Sequence, residues 1–280
     1  GGDVRNSTPP FRESLLRGVV AAGIRVLELG TLPTPMVYFA QRHLQAAGCA
    51  TVTASHSPTG VNGLKWSLNG QPPNGHQVAM LRAAGEVIEP PFEEAAADRQ
   101  AGSREPADVA GSYLDWLAGR GTAGSGPSPD NVVIDPGNGC WAGRCGPLLS
   151  RLFPSTRFHL IHDHADGNFP ERDPDCAAPA HLDGLSATVR DLSADLGIAF
   201  DGDGDRVACC DGGGTVLTAE QVTWVLLHSF ASELPGQTTV HDVKMSDLVL
   251  HTAGRLGARP AVERSGHAFI RARMLEAVAR

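Results

Sequence analysis

The stretch LGIAFDGDGDRV (196–207) passes from an apolar run into three aspartates spaced two apart, with glycines between them and an arginine behind. The apolar run reads as a buried strand that ends at Asp201. Open α/β sheets place ligands at that end of their strands. Alternate side chains in a short segment point the same way, so Asp201, Asp203 and Asp205 converge, while Gly202 and Gly204 let the backbone fold tightly around them. Three carboxylates this close raise one another's pKa unless a cation sits among them. Oxygen-only ligands select a hard ion, Mg²⁺ or Ca²⁺. A calcium EF-hand loop starts similarly but needs Gly at its sixth position and Glu at its twelfth, where this sequence has Arg206 and Gly212. Mg²⁺ completes such a shell with water and phosphate oxygens, and Arg206 suits a phosphate beside it.

Outward from this loop, strand-like and helix-like patterns alternate, which is the mark of α/β layers. Phe11, Leu15 and Val19 recur at helical spacing after Ser7-Thr8-Pro9, and Gly23 stands where that helix would end. IRVLEL (24–29) reads as a strand, Val37, Ala40, Leu44 and Ala47 as a helix face, and ATVTAS (50–55) as the next strand. NVVIDPGNG (131–139), FHLIHD (158–163), LGIAF and VACCDGGG (207–214) supply a second set of strands. TTVHDVKMS (238–246) opens a third unit, whose last helix carries Ile270, Met274, Ala277 and Val278 on one face. Residues 93–130, rich in Gly, Ser, Pro, Ala and charge around the helix VAGSYLDWLAG (109–119), read as a boundary, as does ELPGQ (233–237). The expected organisation is a first domain over 1–110, a linker over 111–130, a second domain over 131–236 and the start of a third over 237–280.

The chain has 280 residues, is 41% hydrophobic and carries a formal net charge of -8 with no basic block, which argues against nucleic acid held by the overall field. No apolar stretch approaches the roughly 18 residues that cross a bilayer, and GGDVRNSTPP lacks the pattern of a secretory signal. The expected location is cytoplasmic and the expected partner a small molecule. Cys49, Cys140, Cys145, Cys176, Cys209 and Cys210 stand at spacings that match no zinc knuckle or CxxC pair, so reduced thiols are expected.

TASHSPTGVNGLK (53–65) places Ser55-His56 at a strand end, followed by a Pro/Gly-rich loop and Lys65. By itself this reads equally as a capped turn. Together with the acidic loop, the chain resembles the alpha-D-phosphohexomutase superfamily, the bacterial phosphomannomutase/phosphoglucomutase type in particular. TASHSP and VNGLK stand in the register of the family's TASHNP and YNGxK, and DGDGDR (201–206) matches letter for letter. DVRNSTP (3–9), LPTP (32–35), DPGNG (135–139), FPERDPDCAAP (169–179), DVKMS (242–246) and RSGHAFIRARM (264–274) follow in the family's order.

The resemblance implies consecutive phosphohexomutase-type α/β domains with mixed sheets. It implies a mutase interconverting hexose 1-phosphate and hexose 6-phosphate, of mannose or glucose, through an active-site phosphoserine and a hexose 1,6-bisphosphate. Ser55 would carry the phosphoryl group, whose oxygen completes the Mg²⁺ shell of Asp201, Asp203 and Asp205. Lys65 would help move the hydroxyl proton, His56 and Arg206 would lie beside the phosphoserine, and Lys244, His267 and Arg271 would face the sugar. A monomer or weak homodimer is expected. Ser57 replaces the family's Asn, Arg271 its Lys and Gly2 a common Arg. The family's first strand with its GxRG motif, its GEMSGH motif and its fourth domain have no counterpart here, so the chain is expected to be an internal fragment with a truncated third domain and little or no turnover. A non-catalytic phosphosugar-binding or regulatory paralogue is the alternative, resting on Ser57 and Arg271, and a calcium-binding module ranks third.

Overall fold

In the computed structural model, which describes residues 1–87, 102–120 and 128–278, Gly2 forms parallel bridges to Thr31 on one side and Val52 on the other. These bridges set Gly2 between Thr31, three residues past the first strand, and Val52, the last residue of the second. β1 (Val26–Glu28) pairs in parallel with β4 (Arg104–Pro106), and β2 (Gly48–Val52) pairs antiparallel with β3 (Leu64–Leu68). α1 (Thr8–Ala21) begins after Ser7 with proline in its first turn, and Gly23 follows its end with φ +83°. The helix forms where expected, but it buries Leu16 and leaves Phe11 56% exposed. α2 (Thr34–His43) buries Met36, Val37 and Ala40, and α3 (Gly75–Val87) follows the hairpin.

The second sheet runs β6 (Arg157–Leu160), β5 (Asn131–Asp135), β7 (Leu196–Phe200), β8 (Val207–Asp211), with only β8 antiparallel to its neighbour. Both faces of β5 are covered, which is why NVVID reads as a continuous apolar run. Val132 and Ile134 enter a cluster with Leu32, Met36, Val37, Val109, Tyr113 and Trp141, while Val133 packs on the other side with Leu182, Leu185, Val189 and Ala199. α5 (Cys145–Leu152) and α6 (Asp183–Asp191) complete this part.

The first of these clusters contains residues from both expected domains, and the described residues up to Val216, apart from Gln71–Asn74, form one compact unit. Within it α4 (Ala110–Ala118) is a core helix rather than a linker, because Tyr113 is buried and meets Phe39 edge-on at 5.3 Å. Most of the low-complexity boundary, residues 93–101 and 121–127, lies outside the described residues.

The described residues from Leu217 onward, together with Gln71–Asn74, form a second unit. β9 (Thr238–Asp242) and β10 (Arg259–Glu263) pair in parallel, with α7 (Ala219–Ser229), α8 (Asp247–Arg255) and α9 (His267–Val278). Leu227 and Leu234 bury against Val249, Ala253 and Ala258, so α7 packs with this unit and the division falls at 216/217 rather than at 236/237. The apolar face expected on α9 is not buried: none of its described residues is, and Met274 and Val278 are exposed. Among the described residues no helix is long and apolar enough to cross a membrane, and all six cysteines are free thiols.

Candidate active site

Thr53, Ala54 and Ser55 continue past the end of β2 into a loop without ladder partners, so its carbonyls need donors from elsewhere. Arg5 supplies them. Its guanidinium, in a residue 1% exposed, donates to the carbonyls of Ser55 at 2.9 Å, Pro58 at 2.7 Å and Val61 at 3.3 Å, and also to that of Ser57. Asp3 balances the buried charge, accepting from Arg5 Nε at 3.1 Å and from the Thr53 hydroxyl at 2.8 Å. Ser55 itself takes φ +53°, a left-handed conformation uncommon for serine. Its N–H donates to Thr53 Oγ1 at 2.9 Å, and its hydroxyl donates to Asp201 Oδ2 at 2.8 Å.

The acidic loop leaves the end of β7 and meets three other elements. The N-terminus of α2 caps it: Thr34 donates its N–H to the Asp203 carbonyl at 2.9 Å and its hydroxyl to Asp203 Oδ2 at 2.6 Å. A helix N-terminus favours the carboxylate placed there. Lys65, on β3 opposite Thr51, reaches Asp203 Oδ2 at 2.7 Å and Asp205 Oδ2 at 2.6 Å. The three aspartates offer carboxylate oxygens within 4.8 Å of one another. Glycine is obligatory between them: a Cβ on Gly202 would lie 2.8 Å from the Ser55 carbonyl, and Gly204 has φ +72° with no room beside Trp141.

Burial, then the charges of Asp203 and Asp205, push the Asp201 carboxyl up to about 6 against the hydrogen bonds from Ser55 and the Arg206 N–H. Burial acts on Asp203 in the same sense, but the Lys65 charge and the hydrogen bonds from Lys65, Thr34 and Ser55 prevail and hold it below the usual carboxylate range. Burial works to lower Lys65, and the charges of Asp203 and Asp205 outweigh it, so its ammonium sits above the ordinary lysine value. One buried carboxylate oxygen, Asp203 Oδ1, has no hydrogen-bond partner among the described residues. An all-oxygen donor set with an orphaned oxygen and uncompensated negative charge fits a hard dication, which Asp201, Asp203 and Asp205 would hold.

Residues 1–86 match the model of "Phosphoglucomutase/phosphomannomutase, alpha/beta/alpha domain I", and residues 112–214 match that of domain II. The chain belongs to the phosphoglucomutase/phosphomannomutase family. It is similar to the phosphoglucomutase of Neisseria gonorrhoeae, with 32% identity over 274 residues, covering 98% of this chain and 57% of that protein. It is 32% identical over 276 residues to the phosphomannomutase/phosphoglucomutase of Pseudomonas aeruginosa PAO1, covering 99% of this chain and 57% of the relative. The crystal structure of a phosphoglucomutase/phosphomannomutase family protein from Burkholderia thailandensis superposes with a TM-score of 0.84 at 29% identity, covering 99% of this chain and 60% of that one. The chain thus spans well under two thirds of the length of these relatives.

Of the residues singled out from sequence in this phosphoglucomutase/phosphomannomutase family member, Ser55, Lys65, Asp201, Asp203 and Asp205 come together. His56 follows Ser55, and its Nδ1 is buried without a hydrogen-bond partner among the described residues. Arg206 is exposed, and its side chain makes no ion pair among the described residues. Lys244, His267 and Arg271 belong to the second unit. There Asp242 Oδ1 accepts from the Lys244 N–H at 2.9 Å and the Ser265 hydroxyl at 2.7 Å, pinning the turn after β9 to the SGH turn that opens α9. Sequence reasoning assigned no role to Arg5, Thr34, Trp141 or Arg172. Arg172 ties the ends of β5 and β7 together, donating to Asp135 Oδ2 at 2.7 Å and to the Phe200 carbonyl at 2.6 Å, one residue before Asp201. DVRNSTP, LPTP and FPERDP do carry Arg5, Thr34 and Arg172, but only their spatial partners reveal what each one does.

Proposed function

We propose that these residues form the phosphoserine half-site of a hexose phosphate mutase acting on mannose or glucose phosphates. The phosphoryl group leaves Ser55 as its Oγ–P bond breaks and a bond forms to one sugar hydroxyl. The resulting 1,6-bisphosphate returns its other phosphate to Ser55, leaving the isomeric monophosphate. The observation that carries this reading is the Ser55 hydroxyl, held 2.8 Å from Asp201 by a loop that Arg5 fixes and aimed into a cation-seeking cluster. Mg²⁺ bound by the three aspartates would neutralise phosphoryl oxygens. Lys65, its Nζ paired with Asp203 and Asp205, would give a proton to the departing Ser55 Oγ and take one back from the attacking sugar hydroxyl, so that the transfer is neutral in protons. Arg206, which follows Asp205 directly, and His56, next to Ser55 with its Nδ1 unpartnered among the described residues, would in this reading serve phosphate oxygens. In this reading Lys244, His267 and Arg271 contact the sugar phosphate, and the protein works in the cytoplasm as a monomer or weak homodimer.

The names of these relatives, phosphoglucomutase and phosphomannomutase/phosphoglucomutase, support the substrate class. Because the chain spans 57% to 60% of their length, phosphoryl exchange at Ser55 is expected from these 280 residues and sustained turnover is expected to be slow. The test follows labelled phosphate from glucose 1,6-bisphosphate into glucose or mannose monophosphate in the presence of Mg²⁺. Exchange abolished by Ser55→Ala supports the proposal. Exchange that survives that substitution contradicts it, and absence of exchange favours a phosphosugar-binding protein without turnover.

A further inference from the structure

Glycine has the widest conformational freedom of any residue, so a loop that alternates aspartate with glycine needs outside restraints to aim its carboxylates. The turn after β5 provides them. The Cys140 N–H donates to the Gly202 carbonyl at 3.0 Å, and the Trp141 indole Nε1 donates to the Gly204 carbonyl at 2.9 Å. Trp141 is 7% exposed, and its ring lies 5.8 Å from that of Phe200, the residue before Asp201. A Cβ on Gly204 would lie 2.3 Å from Trp141 Cδ1, so the indole fills the space beside that glycine. The carbonyls of both glycines that separate the aspartates are therefore held by residues 140 and 141, which leaves the centre of the loop to side-chain oxygens.

We propose that Trp141 is a positioning residue for the acidic loop: its N–H orients the peptide between Gly204 and Asp205, and thereby sets the spacing of the Asp203 and Asp205 carboxylates that governs divalent-cation affinity. The inference rests on the reading of this loop as a cation site. Trp141→Phe keeps an aromatic ring and removes the donor, leaving a buried carbonyl that must turn to find another. Partners that hold metal ligands in place commonly set affinity by about ten- to a hundredfold when lost.

Mn²⁺ titration of the whole 280-residue chain, followed by electron paramagnetic resonance, measures this directly, with a thermal melt of every variant. Trp141→Phe is expected to weaken Mn²⁺ binding by at least about tenfold. Tyr113→Leu, which perturbs the same core 6.4 Å from the Trp141 ring, is expected to lower the melting temperature and leave affinity unchanged. Gly204→Ala attacks the contact from the other side, is also expected to weaken binding, and decides the matter if Trp141→Phe does not fold. Wild-type affinity in a folded Trp141→Phe or Gly204→Ala protein overturns the inference, as does equal weakening by Tyr113→Leu. No Mn²⁺ binding by the unsubstituted chain overturns the cation reading and this inference with it.

Discussion

Thr34 gives Asp203 two hydrogen bonds, from its hydroxyl to Oδ2 at 2.6 Å and from its N–H to the backbone carbonyl at 2.9 Å. The first residue of a helix on one sheet is thereby fixed to the central aspartate on another. Thr34→Val keeps shape and N–H but removes the hydroxyl. A buried hydrogen bond to a charged group contributes about 1.5–3 kcal/mol, so urea unfolding is expected to show a loss of that order, largely recovered by Thr34→Ser. Equal stability of Thr34→Val and the unsubstituted protein would contradict the assigned contact.

The pH dependence of the cation-free protein follows from Asp201. Its carboxyl rises from 3.8 to about 6 on folding, so the folded protein binds the proton more tightly than the unfolded one. Its contribution to stability is complete below pH 4 and is lost as pH rises through 6, by about 3 kcal/mol at most. Unfolding in EDTA between pH 4.5 and 7.5 is expected to show this decline, and Asp201→Asn to flatten it. A slope of the opposite sign would mean that Asp201 is ionised by some interaction other than those described. Protonation also competes with cation binding, so Mn²⁺ affinity is expected to fall as pH drops below 6.

Lys65 is one of two lysines in the chain, the other being Lys244, which makes amine labelling a site-resolved measurement. Lys244 is exposed, whereas Lys65 is paired with two carboxylates and titrates above the ordinary range. Acetic anhydride at pH 8, read by peptide mass spectrometry, is expected to modify Lys65 roughly tenfold more slowly than Lys244. Asp203→Asn is expected to narrow the gap. Equal rates in the unsubstituted protein would show that the ion pairs do not hold in solution.

Arg5 sits at the base of the serine loop, and a lysine cannot reproduce its planar fork. Arg5→Lys is therefore expected to loosen residues 55–61, seen as faster amide exchange there, while Arg5→Ala also strands the buried Asp3. Breaking a buried pair by removing one partner costs about 3–5 kcal/mol, and chemical denaturation of Arg5→Ala should show a loss in that range. Unchanged exchange in Arg5→Lys would assign the loop's shape to other contacts.

The site was legible in the sequence where its chemistry is local and hidden where it depends on distant partners. LGIAF followed by DGDGDR declares both a strand and the acidic loop at its end within twelve residues, and β5, β7 and β8 lie where their apolar runs place them. β3 is a different case: LKWSL is short and half exposed, and only its pairing with β2 makes it a strand that directs Lys65 inward. α4 was visible as a helix but not as core, because its Gly- and Ser-rich flanks mask the burial of Tyr113 against Phe39, more than seventy residues earlier. Arg5 acts on carbonyls over fifty residues away, and Trp141 on one sixty-three residues away. No local pattern encodes such contacts. α7 carries no strong periodic face, and its place in the second unit depends on Leu227 meeting α8.

The central claim is that Ser55 accepts and returns a phosphoryl group. Phosphopeptide mapping of the purified chain, before and after incubation with glucose 1,6-bisphosphate and Mg²⁺ and with Ser55→Ala alongside, tests it most directly. The account predicts phosphate on Ser55, absent from Ser55→Ala and removed by excess hexose monophosphate. A chain that binds Mg²⁺ at its acidic loop yet shows no phosphate on Ser55 under any of these conditions would contradict it.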